Sequence, residues 1–217
     1  MRYHALYDFD GTLTSKDTTR MLLIELVKLR PWRAIALFCF FMRIRLSRRS
    51  EIKQRHKNKA IGSLIKDLDE ERLSSALERF RAKVESIYRQ EVFASVEQVI
   101  QDGGIVLVVT ASPSFAVSHC INGPSVSVIG TEFEKNEGKY TGRIEGDNCY
   151  GKEKVNRLNS WAAVCNQDLN IQSAWGDHPS DFDMVSLAAK RHWVVRNKRC
   201  YEQILSCDPE ATFLYVD

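Results

Sequence analysis

Hydrophobic positions along this 217-residue chain fall into two textures. Short apolar runs occur at Tyr3 to Phe9, which ends in Asp-Gly, at Ile105 to Val109, which leads into Thr-Ala-Ser-Pro, and at Ile171 to Trp175, which ends at Gly-Asp, with shorter ones at Trp193 to Val195 and Phe213 to Tyr215. Runs of this kind read as strands buried on both faces, as in a parallel sheet. Between the first and second runs the texture changes: Leu73, Leu77, Phe80, Val84 and Ile87 repeat at the four-three spacing of an amphipathic helix. Ser112-Pro113 suits an N-cap followed by a first helical residue, and Asp181 to Leu187 reads as a further helix.

Strands alternating with helical segments predict an α/β fold, a doubly wound, Rossmann-like parallel sheet covered on both faces. The long helical stretch predicts an inserted all-helical cap over residues 16–91, leaving 1–15 and 92–217 as the core. Ligands of such sheets bind beyond the carboxyl ends of the strands.

Composition refines this picture only locally. With 44% hydrophobic and 27% charged residues the chain is ordinary globular protein, and a net charge of +3 is too small to argue for nucleic acid. The basic character is concentrated: Lys28 to Lys59 holds eleven Lys or Arg and one acid, Glu51. Six cysteines without a CxxC pair signal neither zinc nor a disulfide framework. The start, Met1 to Tyr7, lacks the long apolar run of an export leader, so the cytoplasm is the expected compartment.

Four separated groups could carry chemistry. Asp8-Phe9-Asp10-Gly11-Thr12-Leu13-Thr14 sets two carboxylates, one residue apart, before a glycine turn at a strand end. One can attack an electrophilic phosphorus, and the other can shuttle the proton of the leaving oxygen. Thr110 closes the second strand, where a hydroxyl and the amides that follow can hold phosphate oxygens. In Lys152 to Leu158 a lysine can neutralise a dianion, and helical phase favours Lys154 over Lys152, because Leu158 and Trp161 then follow at four and seven residues. Asp177 and Asp181, in Gly176-Asp177-His178-Pro179-Ser180-Asp181, can hold a hard cation and orient its neighbours.

Together and in this order, the DFDGTLT start, the Thr110 strand end, Lys154 and GDHPSD resemble the four motifs of the haloacid dehalogenase superfamily, over essentially the whole core. The resemblance implies Asp8 as nucleophile and Mg2+ ligand. Asp10 would be general acid/base, with its backbone carbonyl on the metal, and Asp177 a further ligand supported by Asp181. Thr110, Lys154 and Gly11 would bind the phosphoryl group. The second aspartate marks members that act as phosphatases or phosphomutases.

An insertion directly after the first motif resembles the helical cap of the phosphoserine-phosphatase-like branch. The greasy cap, the Thr-Ala-Ser-Pro segment and Cys149 to Lys154 look most like the bacterial group containing phosphatidylglycerophosphatase C, which implies a lipid phosphate. The run Ala34 to Met42, followed by Arg43, Arg45, Arg48 and Arg49, could meet the inner face of a membrane peripherally. Neither it nor Met21 to Val27 reaches the ~20 residues of a spanning helix. Against phosphoserine itself, the second motif lacks Ser-Gly-Gly. A soluble phosphorylated metabolite is the alternative substrate, and a phosphate-binding module without catalysis the alternative class.

Overall fold

The computed structural model describes residues 2–33 and 50–216. Strand β1 (His4–Tyr7) leads into helices α1 (Thr19–Leu29), α2 (Ser50–Ile65), α3 (Glu70–Glu85) and α4 (Gln90–Gln101), with a 3-10 turn at Pro31–Arg33. The chain returns to the sheet as β2 (Ile105–Pro113), passes through α5 (Ser114–Cys120) and forms β3 (Val126–Thr131). A hairpin of β4 (Phe133–Asn136) and β5 (Lys139–Ile144) precedes α6 (Lys152–Cys165) and β6 (Ile171–Gly176). A 3-10 turn at Pro179–Asp181, α7 (Phe182–Val185), β7 (Lys190–Val195), α8 (Lys198–Leu205) and β8 (Thr212–Tyr215) complete the described chain.

Six strands form one parallel sheet in the order β3-β2-β1-β6-β7-β8, as the sequence predicts. The order reverses at β1, because successive strands are laid first on one side of it and then on the other, and a crevice opens at such a point. β1 is buried at every position, with Tyr7 level with both Val108 and Trp175. Just beyond that register lie Asp8, Asp177 and, still within β2, Thr110.

Helices cover both faces. Leu158, Met184, Val185 and Ile204 pack with Leu6, Leu107, Val109 and Trp193 on one side. On the other, Ala5, Tyr7, Val106 and Val108 share a core with Val92, Val96 and Val99 of α4, and with Leu22 and Leu26 of α1 and Leu73, Leu77 and Phe80 of α3. Among the described residues, every regular element between β1 and β2 is helical. Leu73, Leu77, Phe80 and Val84 are buried as their spacing predicts, while Ile87 is only partly so.

Three local features depart from the sequence reading. No helix starts at Ser112: β2 runs through Pro113, which stays extended and pairs with Thr131, and α5 begins at Ser114. The Ser112 hydroxyl is not available for a cap because it donates to Asp10. The helix expected over Asp181 to Leu187 is a single turn, and Asp181 belongs to the 3-10 turn before it. Strand β3 and the hairpin carry no strong apolar run, since β3 lies at the sheet edge and exposes Val126 to Val128 in part.

Met21 to Val27 lies in α1, where Leu22, Leu23 and Leu26 are buried, and Glu25 is fully buried among them with Lys28, Arg79 and Lys83. The run Ala34 to Met42 and Arg43, Arg45, Arg48 and Arg49 lie outside the described residues. Among those described, no helix is long and apolar enough to cross a membrane. The five cysteines described are free thiols.

Candidate active site

The turn after β1 places both aspartates. The Asp8 amide continues the sheet by donating to the Trp175 carbonyl at 3.0 Å, and the Thr14 amide closes the turn on the Phe9 carbonyl at 3.0 Å. Between them Gly11 takes φ +94°, where a side chain is strained. A Cβ there would also overlap the Asp177 carboxylate, so the turn can lie against the third strand end only with glycine.

Asp8 is buried and meets the lysine chosen by helical phase. Lys154 Nζ donates to Asp8 Oδ1 at 2.5 Å and to Asp181 Oδ1 at 2.8 Å. Lys154 is 2% exposed whereas Lys152 faces solvent. Burial pushes the Asp8 carboxyl well up; the Lys154 charge opposes that, and the nearby charges of Asp181 and Asp177 add to it. For Lys154 burial disfavours the ammonium, but Asp181 and Asp8 outweigh it and hold the group firmly charged.

The Asp10 carboxyl turns to a different set of partners. Oδ1 accepts from the Thr18 amide at 2.6 Å and the Thr18 hydroxyl at 2.7 Å, and Oδ2 from the Ser112 hydroxyl at 2.5 Å. Burial, then the charge of Asp17, raises its pKa, with the Ser112 and Thr18 bonds pulling the other way. A carboxyl that keeps its proton more readily than usual suits a group that must donate one.

Thr110, expected at a strand end, is buried within β2, which continues to Pro113, and its hydroxyl accepts the Ser112 amide at 3.1 Å. Asp177 pairs with Arg196, just beyond β7. Burial and the neighbouring Asp181 push the Asp177 carboxyl up to about 7, against the pull of Arg196. His178 stays at the exposed mouth, its ring caught by Ser180 at 2.9 Å. All the residues expected from sequence, Asp8, Asp10, Gly11, Thr110, Lys154, Asp177 and Asp181, line one cleft of about 280 Å³.

The donor set fits a hard divalent cation. One carboxylate oxygen each from Asp8, Asp177 and Asp181 lies within 4.8 Å of the others. Lys154 and Arg196 bring two positive charges to these three acids. Burial first, and then the neighbouring acids, raise the Asp8 and Asp177 carboxyls, and a cation among them would favour their charged forms. Magnesium, an all-oxygen ion that tolerates few protein ligands, suits such a cluster. The Asp10 side chain stands outside this triplet.

Several cleft residues had escaped the sequence reading. Ser112 and Thr18 hold Asp10, Arg196 holds Asp177, and the ion pair of Asp17 with Lys57 brings α2 to the cleft beside Tyr150. The Thr-Ala-Ser ending of β2 could have marked Ser112. Nothing near Arg196 or Lys57 distinguishes them from surface cations.

Similarities to known proteins bear on this geometry. CicA of Caulobacter vibrioides is 28% identical over 193 residues, 85% of this chain and 82% of that protein. A Bordetella pertussis Tohama I structure described as a protein with unknown function matches all of this chain and 99% of its own, at a TM-score of 0.75 and 20% identity. A phosphoserine phosphatase captured as a phospho-aspartyl intermediate analogue matches 99% of this chain and 93% of its own, at 0.58 and 19%. At those identities the two structures share the fold. The sequence profile of the haloacid dehalogenase-like hydrolases matches residues 5–186, spanning the Asp8 turn, Thr110, Lys154 and Asp181, and the chain therefore belongs to that hydrolase family.

Proposed function

We propose that this hydrolase cleaves phosphate monoesters with the help of Mg2+, through a transient phosphoryl-aspartate on Asp8. The carrying observation is the pairing of a buried carboxylate, Asp8, with Lys154, beside a second carboxyl, Asp10, whose oxygens accept from a different set of partners and whose pKa is raised by burial. The phosphoserine phosphatase with the same fold, described as a phospho-aspartyl intermediate analogue, supports the reading.

An Asp8 carboxylate oxygen bonds to phosphorus as the bond to the leaving oxygen breaks, and the Asp10 carboxyl protonates that oxygen. Asp10, now a carboxylate, takes a proton from water as the water oxygen attacks the same phosphorus, releasing phosphate and restoring Asp8. Lys154 keeps a positive charge against the phosphoryl oxygens, and Thr110 with the Gly11 turn orients them. Magnesium, held by Asp8 and Asp177 with the Asp10 carbonyl, and with Asp181 in support, would supply further neutralisation of the phosphoryl charge. Residues 16–91 act as the cap, since α2 brings Gln54 and Lys57 to the cleft wall.

A soluble phosphorylated metabolite in the cytoplasm is the first substrate class. A lipid phosphate such as phosphatidylglycerophosphate is the second, favoured by Trp32, which is 70% exposed between Arg30 and Arg33 and leads into the apolar and basic segment. Magnesium-dependent phosphate release from p-nitrophenyl phosphate, lost with chelator and with Asp8→Asn, tests the proposal. Inertness of the unaltered protein on every phosphomonoester would overturn it.

A further inference from the structure

A second cavity, of about 500 Å³, lies beyond Tyr150, which lines both it and the Asp8 cleft. Its walls come from α2, β5 and the loop before α6. Two anchors fix these walls. Asn58 Nδ2 donates to Asn148 Oδ1 at 2.9 Å, and the same oxygen accepts the Thr131 hydroxyl at 2.8 Å. One turn further along α2, Gly62 lies so close to the Gly142 backbone that a Cβ would overlap its carbonyl. The cavity is thus built between elements held together by these contacts, with the Arg55 and Lys59 side chains exposed to solvent in its wall.

Its charge is unusual. Arg55 and Lys59, one turn apart on α2, both line it, and neither pairs with a carboxylate among the described residues. Like charges at this spacing repel each other along the helix, and an anion between them relieves that repulsion. Arg143 faces them from β5 but is committed to Glu134 at 2.8 Å. Glu51 and Asp147 also line the cavity, and among the described residues neither forms an ion pair with Arg55 or Lys59.

We propose that this cavity is the leaving-group subsite and that the leaving group carries a second anionic group, a carboxylate or a phosphate, received by Arg55 and Lys59. The inference rests on the phosphatase reading and names its substrate class. Because Tyr150 lines both spaces, a leaving group attached to a phosphoryl at Asp8 has a route past it into this cavity, and the remote anion supplies binding energy that a neutral alcohol lacks.

The test compares glycerol 3-phosphate, 3-phosphoglycerate and phosphatidylglycerophosphate in detergent micelles, alongside p-nitrophenyl phosphate. Glycerol 3-phosphate and 3-phosphoglycerate differ chiefly in a hydroxymethyl group against a carboxylate. The expected result is a kcat/KM at least about tenfold higher for an anionic-tailed substrate than for glycerol 3-phosphate. A preference for 3-phosphoglycerate identifies a small soluble substrate, and a preference for the lipid alone identifies a phosphodiester tail. Arg55→Ala with Lys59→Ala should raise KM for the preferred substrate about tenfold or more and leave p-nitrophenyl phosphate turnover unchanged. Equal turnover of glycerol 3-phosphate and both anionic substrates, or an equal loss on all four in the double variant, would overturn the subsite. Inertness towards p-nitrophenyl phosphate would instead refute the parent reading.

Discussion

The Lys154 ammonium stands 2.5 Å from Asp8 Oδ1 across 146 residues of sequence. Its second bond, 2.8 Å to Asp181, makes it the shared cation of two acids from opposite ends of the core. Electrostatic complementarity is thus present before any substrate arrives, which is the form of preorganisation phosphoryl transfer requires.

Removing that cation should cost both stability and activity. Lys154→Met leaves Asp8 and Asp181 buried without their partner, and breaking such a pair costs about 3–5 kcal/mol. Urea unfolding at neutral pH should show a lowered midpoint, and phosphate release should fall to background. A variant that melts like the parent would mean that the three carboxyls share protons without needing the lysine.

Asp10→Asn should separate proton transfer from metal binding. The amide keeps the backbone carbonyl and can still accept from Thr18, but it cannot donate an acid proton. Turnover should fall by about 10²–10⁴-fold while magnesium affinity, followed by calorimetry, stays near that of the parent. Parallel loss of both would remove Asp10 from its assigned role.

Magnesium affinity should rise with pH. Burial and Asp181 push the Asp177 carboxyl up to about 7, so below neutrality a proton competes with the cation for this ligand. Affinity should weaken as pH falls beneath about 7, with proton release on binding seen in calorimetry across buffers of different ionisation enthalpy. A flat affinity between pH 6 and 8, with no proton released, would contradict this.

Glu25 should hold α1 to α3. Burial disfavours its charge, but hydrogen bonds from Lys28, Lys83 and Arg79 outweigh that and bring the carboxyl down to about 2. Because the folded value lies below the unfolded one, the stabilisation is full above about 4.5 and is lost as pH falls through 2. Glu25→Gln should cost about 2 kcal/mol at pH 7, discounted for the half-exposed cations, and the gap should close in that acid window on thermal or urea unfolding. A gap that persists below pH 2 would assign the loss to packing instead.

The strands β1, β2 and β6 were legible because a strand buried on both faces must be apolar along its length, and a loop that turns sharply must carry Gly and Asp. The same logic placed Asp8, Asp10 and Asp177 just past strand ends, whereas Thr110, expected there too, lies inside β2; helical phase alone separated Lys154 from Lys152. Edge strand β3 and the β4-β5 hairpin were silent because a half-exposed strand has no composition of its own. What one-dimensional pattern could not supply is which distant side chains share a charge. Glu25 sits in an apolar run and is tolerable only because Arg79 and Lys83 reach it from another helix. Arg196 on Asp177, Ser112 on Asp10, and Arg55 with Lys59 facing β5 likewise follow from packing, because electrostatic partnership depends on distance in space and burial, and neither is written in the order of residues.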